Sequence, residues 1–239
     1  MPTNSFTVSG NILSISDNDT LFRNIHDPTQ FTGHLFQQML FEKGKKINSI
    51  NKGPVTENAK LITSHKSKKL IPIIENLMVK SDNLTAELLI KTIGFEANKK
   101  EGNWKNGLEE VRKFINDSVG IDTATFSIQD GSGVSRYNYG SPSQYIDLLK
   151  WVYNNKAIRD QFINTLPNST PKGVLNKRSL PNKVYAKTGS LSGVTTFSGY
   201  IFTNSGEIVA FSILMNGFKG DSLPYKNLQD KIVSALSMI

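Results

Sequence analysis

The sequence predicts a mixed α/β fold, an antiparallel sheet close to the C-terminus packed against a cluster of helices. Three observations predict it. Val194–Thr203 and Glu207–Met215 are rich in β-branched and aromatic residues and flank the turn signal Asn204-Ser205-Gly206, the pattern of a β-hairpin. Upstream, apolar residues recur at helical spacing in successive stretches between Pro28 and Leu166. Downstream, Pro224–Met238 carries Leu228, Ile232, Val233 and Leu236 on one face and closes the chain as an amphipathic helix.

In chain order, Phe6–Ile15 alternates loosely and predicts a short strand or two. Asp27-Pro28 is a helix start, with Asp27 as N-cap and Pro28 at the first helical position, and the apolar spacing of Phe31, Leu35, Phe36, Met39 and Leu40 carries that helix towards Gly44. Gly53-Pro54 breaks the chain, and Lys60–Thr63 is a brief strand candidate. Ser67–Val79 and Leu84–Ile93 are consecutive helices, the second ending at Gly94 as its C′ residue. Asn103–Val119 is a third helix, and Ala124–Ile128 a strand candidate. Asp130–Asn138, DGSGVSRYN, is a tight loop where backbone approaches closely. Ser141-Pro142 opens a helix to Asn154, and a short helix covers Ile158–Leu166. Pro167–Pro181 is a basic loop leading to the sheet.

With 239 residues, 38% hydrophobic and 20% charged, the chain is of ordinary globular composition and long enough for one large domain or two small ones. Its net charge of +8 is spread over separate lysine clusters, without the basic stripe or aromatic interleaving of a nucleic-acid-binding surface, so no nucleic-acid partner is expected. The absence of cysteine excludes disulfides and thiolate chemistry, and the 3 histidines have no metal-ligand spacing, so no metal or other cofactor is expected. No apolar run reaches membrane-spanning length, and the first residues lack a basic segment followed by an apolar one, so neither a transmembrane segment nor a signal peptide is expected.

Two polar triplets carry chemistry. Lys187-Thr188-Gly189-Ser190 places a cation, a hydroxyl and a glycine on consecutive strand residues ahead of the hairpin, where a ligand can lie against backbone. Ser81-Asp82-Asn83 falls at a junction between helices, where short polar side chains can face a cleft. Each has a plain structural alternative: a charged strand entering a turn for the first, and Ser81 as N-cap of the second helix for the other. Ser-Asp-Asn and Lys-Thr-Gly, in this order, are two of the three signatures of penicillin-binding proteins and class A β-lactamases.

Together with DGSGVSRYN at Asp130–Asn138, LMVKSDNL at Leu77–Leu84 and AKTGS at Ala186–Ser190, these residues resemble the low-molecular-mass penicillin-binding proteins of peptidase family S13, serine D-alanyl-D-alanine carboxypeptidases and endopeptidases. The resemblance implies a β-lactamase/transpeptidase-like fold and acyl transfer through a serine ester to peptidoglycan stem peptides ending in D-Ala-D-Ala. It implies β-lactams as ligands of the complete enzyme and a periplasmic or cell-envelope location. Under it, Ser81 serves the proton relay, Asn83 holds substrate backbone or a lysine, and Lys187 supplies positive charge beside Ser81. Thr188 binds the terminal carboxylate, Gly189 lets the substrate strand approach, and the Ser190 N–H forms half of an oxyanion hole.

The family's third signature, Ser-x-x-Lys at the start of a buried helix, has no convincing counterpart. Ser49-Ile50-Asn51-Lys52 runs into Gly53-Pro54, and Ser169-Thr170-Pro171-Lys172 contains a proline and follows the other motif. The expectation is a chain corresponding to the C-terminal portion of such a protein. Residues 1–63 would be the re-entry from an inserted domain plus a first helix, and 64–239 part of the penicillin-binding domain, inactive alone. A non-catalytic module that binds peptidoglycan peptides is the alternative.

Overall fold

The computed structural model describes residues 4–12, 23–181 and 183–239. The chain divides into two compact units, Met1–His65 and Lys66–Ile239.

In the first unit, helix α1 (Pro28–Glu42) starts where the sequence placed it. The Asp27 carboxylate accepts the Gln30 N–H at 3.0 Å and the Lys52 ammonium at 2.6 Å. Those hydrogen bonds, that of Lys52 foremost, hold its carboxyl below the usual carboxylate range. The two strand expectations in this unit are corrected. Residues 6–12 and 60–63 form no strand, and Leu13–Ile15 lie outside the described residues. Val8, Leu61 and Ile62 are 84–95% exposed. β-propensity measures fit to a half-buried pleated surface, and no such surface is offered to them here.

The second unit begins with α2 (Leu70–Lys80) and α3 (Asn83–Asn98), followed by α4 (Trp104–Phe114), α5 (Pro142–Asn154) and α6 (Arg159–Thr165). Then come β1 (Val184–Leu191), β2 (Val194–Phe202), β3 (Ile208–Asn216) and α7 (Leu223–Leu236). The expected hairpin is the second half of a three-stranded antiparallel meander, in the order β1-β2-β3. A two-residue turn, Ser192-Gly193, joins β1 to β2, with Gly193 at φ 72°, where only glycine sits without strain.

Strand alternation splits the sheet's side chains between two layers. Val184, Ala186, Phe197, Ile201 and Phe211 join Val233 of α7 in one buried cluster. Tyr200 joins Leu149, Ile163 and Leu166 of the helical group in the other, its hydroxyl donating to the Leu149 carbonyl at 2.7 Å. Lys187, one position beyond Ala186, therefore points towards the helices.

Three local expectations need correction. Gly94 does not end its helix: α3 continues to Asn98 and stops at Lys99, which has φ 52°. Gly94 is instead a contact point, because a Cβ there would lie 2.8 Å from the Gly107 nitrogen, and one on Gly107 would lie 2.0 Å from the Ile90 carbonyl oxygen. Ala124–Ile128 is a short 3-10 turn over Thr123–Thr125 and a single bridge, Ser127 to Tyr139, since no neighbouring strand extends the pairing. The helix from Asn103 leaves α geometry at Phe114 and finishes as a π turn over Ile115–Val119, ended by Gly120 at φ 82°.

Candidate functional site

Ser81 and Asp82 are the whole connection between α2 and α3, Asn83 opens α3, and each residue of the triplet does different work. Ser81 ends α2 at φ 52° and ψ 48°. The Asp82 N–H returns to the Leu77 carbonyl at 3.1 Å, which tightens the end of the helix. Asp82, not Ser81, is the N-cap of α3: its carboxylate accepts the Thr85 hydroxyl at 2.7 Å and the Leu84 N–H at 3.1 Å. The Thr85 hydroxyl is the first cause of its lowered carboxyl pKa. The capping alternative for Ser81 is thus overturned, and its hydroxyl is left to face outward from a strained backbone position.

Lys187 meets it. Its ammonium donates to the Ser81 hydroxyl oxygen across 106 residues of sequence and to the Thr188 carbonyl at 2.8 Å. Burial pushes the Lys187 pKa down from the ordinary lysine value. Asn83 stands exposed at the first position of α3, and among the described residues its side chain makes no hydrogen bond.

The edge of β1 is divided in two. The Ser169 N–H donates to the Val184 carbonyl at 3.0 Å and the Ala186 N–H to the Pro167 carbonyl at 2.8 Å, so the first half of the outer edge is covered. By the two-residue period, the backbone groups of Thr188 and Ser190 point to the same outer side. There the Thr188 carbonyl is taken by Lys187, and among the described residues the Thr188 N–H and both backbone groups of Ser190 have no other partner and are open to an added strand. Thr188 pairs with Phe197 and Gly189 with Thr196. A Cβ on Gly189 would lie 2.5 Å from the Thr196 hydroxyl oxygen, so a larger residue there would displace that side chain.

The Asp130–Asn138 loop is built around one carboxylate. Asp130 accepts the N–H groups of Gly133 at 2.8 Å and Ser135 at 2.6 Å, and the Asn138 amide at 2.8 Å. The Arg136 guanidinium donates to the Ser192 carbonyl at 2.9 Å. Sequence reasoning named this loop but missed Glu87, whose carboxylate accepts the Trp104 indole N–H at 2.7 Å and the Gly131 and Ser132 N–H groups at 3.0 Å each. Its only sequence signal is an acid within the first two turns of the helix that carries the triplet.

Neither Ser-x-x-Lys string opens a helix. Lys52 pairs with Asp27. Ser169, 5% exposed, donates to the Pro181 carbonyl at 2.6 Å and accepts the Val184 N–H at 3.0 Å. Among the described residues no cluster of His, Cys, Asp and Glu could hold a metal ion.

Comparison with known proteins places this geometry. Residues 1–238 match the model of the D-Ala-D-Ala carboxypeptidase 3 (S13) family. A D-alanyl-D-alanine carboxypeptidase of Actinomadura sp. (strain R39) is 32% identical over 235 residues, covering 91% of this chain and 42% of that protein. The D-alanyl-D-alanine carboxypeptidase DacB of Haemophilus influenzae is 27% identical, covering 87% and 45%. Thus the chain spans less than half the length of these curated relatives. The crystal structure of H. influenzae penicillin-binding protein 4, in complex with a β-lactam, superposes with a TM-score of 0.79 at 25% identity, over 90% of this chain and 52% of that one. TLA-3 extended-spectrum β-lactamase, at 21% identity and a TM-score of 0.55 over 71% and 64% of the two chains, shares the fold.

Proposed function

The chain belongs to the D-Ala-D-Ala carboxypeptidase 3 (S13) family, and from that premise we propose that it supplies the proton-relay and substrate-strand side of a serine-type D-Ala-D-Ala carboxypeptidase or endopeptidase acting on peptidoglycan stem peptides. The observation that carries the reading is the Lys187 ammonium on the Ser81 hydroxyl, beside an open strand edge.

The peptide lies antiparallel along β1 and pairs with the backbone of Ser190. Lys187 and Thr188 attract its terminal carboxylate, and Asn83 takes a polar group of its backbone. When a serine oxygen attacks the penultimate D-Ala carbonyl, negative charge collects on the carbonyl oxygen, and the Ser190 N–H is placed to receive it. The C–N bond then breaks, and the proton given up by the attacking serine passes through the Ser81 hydroxyl, whose oxygen Lys187 keeps electrostatically primed, to the departing D-Ala nitrogen. Water hydrolyses the ester. The attacking serine is assigned to neither Ser-x-x-Lys string of this chain. The substrate is a wall polymer, so the working location is the periplasm or cell envelope. No helix among the described residues is long and apolar enough to cross a membrane. β-lactams are the expected ligands once a nucleophile is present.

The test is a titration of the 15N-labelled chain with an acylated peptide ending in D-Ala-D-Ala and with its C-terminal amide. The amide signals of Thr188 and Ser190 should move with the carboxylate form and much less with the amide. Undisturbed Thr188 and Ser190 signals would overturn the reading. Fluorescent penicillin should leave the chain unlabelled, and a serine-linked adduct would assign the nucleophile to this polypeptide after all. Lys52 held by Asp27 and Ser169 held by Pro181 and Val184 favour one second reading, a peptide-binding module without turnover, distinguished by binding that persists when a nucleophile-bearing segment is added but yields no free D-Ala.

A further inference from the structure

The two layers that meet at the site are packed unevenly. Tyr200, Leu149, Ile163 and Leu166, with Met78 and Tyr185 against them, fasten the helices to the sheet at the Tyr185 end of β1. Beyond Lys187 the residues facing the helices are Gly189 and Leu191, and neither belongs to a buried cluster. Among the described residues, hydrogen bonds cross from the helical layer to the Lys187–Leu191 half of β1 and its turn at two places, Lys187 to Ser81 and Arg136 to the Ser192 carbonyl. The first is the site itself. The second ends a continuous path that begins on the helix Ser81 leads into.

That path is joined by close contacts and hydrogen bonds throughout. Gly131 lies on the backbone of α3, where a Cβ would come 2.5 Å from Ile90 and 2.7 Å from the Ala86 carbonyl oxygen. Glu87 of the same helix grips the Gly131 and Ser132 N–H groups, and it is itself held by Trp104, over whose ring the Lys91 ammonium sits at 4.0 Å. Asp130 closes the loop on itself through Gly133, Ser135 and Asn138. Arg136 leaves that closed loop for Ser192.

We infer that Gly131–Arg136 is a strap between α3 and the β1–β2 turn, and that Glu87 and Arg136 are positioning residues that set the separation of the Ser81 hydroxyl and the Lys187 ammonium. Neither side chain reaches the reacting atoms. Glu87 acts through the Gly131 and Ser132 amides, and Arg136 through the turn that ends the open edge of β1. Releasing either end lets the unpacked half of the groove widen and admit water around Lys187. The burial that lowers the Lys187 pKa is then the quantity that reports the strap. The inference deepens the proposed function and takes its bearing on turnover from it, while its geometry stands without any substrate.

The test uses the full chain with 15Nζ-labelled lysine and follows the Lys187 titration by NMR in the parent, Glu87→Gln, Arg136→Ala and Arg136→Lys. Glu87→Gln keeps the shape but turns one acceptor oxygen into a donor facing an N–H group, and Arg136→Ala removes the far anchor. Both should move the Lys187 midpoint up towards the ordinary lysine value and weaken binding of the D-Ala-D-Ala peptide by about fivefold or more. Arg136→Lys keeps a donor for Ser192 and should fall between parent and Arg136→Ala. A lowered melting temperature with an unmoved Lys187 midpoint would reduce both residues to scaffolding and overturn the inference. If Glu87→Gln does not fold, Arg136→Ala, at the exposed end, decides alone. If the parent chain fails to bind the peptide, the proposed function falls while the Lys187 titration still decides the strap.

Discussion

Ser81 separates the cost of its backbone from the value of its hydroxyl, and a pair of substitutions measures the first directly. At φ 52° and ψ 48° an L residue bears roughly 1–2 kcal/mol of steric strain that glycine does not. Glycine gives back about 0.4–1 kcal/mol, because its unfolded chain has more freedom to lose. Ser81→Gly should therefore be more stable than Ser81→Ala by about 1 kcal/mol, close to a fivefold change in the folding equilibrium. Both variants lose the hydroxyl and leave Lys187 without that partner, so the difference between them isolates the backbone. Trp104 and Trp151, the 2 tryptophans of the chain, both belong to the second unit, so urea unfolding followed by tryptophan fluorescence reads that unit alone. In melting temperature the same difference is about 2–4 °C for a unit of this size. If Ser81→Ala proves as stable as Ser81→Gly, the hydroxyl is not being held in place against backbone strain, and the distinction drawn between Ser81 and the capping residue Asp82 fails.

Other variants test other joints of the fold. Gly94→Ala, with its new methyl 2.8 Å from the Gly107 nitrogen, should push α3 and α4 apart and destabilise by about 1–3 kcal/mol in the same urea assay. Arg178→Ala strands Asp230, whose side chain is 9% exposed and is gripped by Arg178 at 2.6 Å, and should lose about 3–5 kcal/mol, with part recovered in the Arg178→Met/Asp230→Leu double variant. Burial pushes the Glu87 carboxyl up, but hydrogen bonds from Ser132, Gly131 and Trp104 outweigh it and leave the pKa lowered. Its stabilisation is therefore complete above the usual carboxyl range and is lost as pH falls through the folded-state value, so the stability gap between parent and Glu87→Gln should close on acidification. Lys187 has the opposite sign. Its folded-state pKa lies below the unfolded one, so stability should rise with pH between the two, and Lys187→Met should flatten that rise.

What was readable in the sequence was what short-range chemistry dictates. Asp27-Pro28 and Ser141-Pro142 announced helices because cap and proline act within one turn, and Ser141 with Gln144 forms a full capping box. The triplets were legible because their residue types and order are specific. The misreadings share a cause, a partner distant in sequence. Gly94 read as a helix end because nothing local reveals that Gly107 will press on it. Residues 60–63 read as a strand because alternation does not say whether an edge is available. The strand read at Lys187–Ser190, ahead of the hairpin, is there as part of β1 and completes a meander. Glu87 went unnoticed because a carboxylate on a helix surface looks the same whether it meets water or two backbone N–H groups.

That last strand shows how the fold keeps one edge open without inviting indiscriminate pairing. An exposed strand edge is a template for aggregation, and proteins blunt it by shortening, covering or charging it. Here all three devices fall on β1. Pro167–Ser169 covers Val184–Ala186, the turn at Ser192-Gly193 ends the strand, and Lys187 sets a charge between the two. The open remainder, Thr188–Ser190, is too short to hold a strand by backbone bonds alone, since its three open groups contribute only about 0.5–1.5 kcal/mol each net of water. A ligand must therefore bring something more, and the group beside the edge is the half-buried Lys187 ammonium. Under the proposed function a chain that ends in a carboxylate should bind this edge more tightly than a neutral strand of equal length, because the same lysine that blunts the edge against pairing would attract the carboxylate.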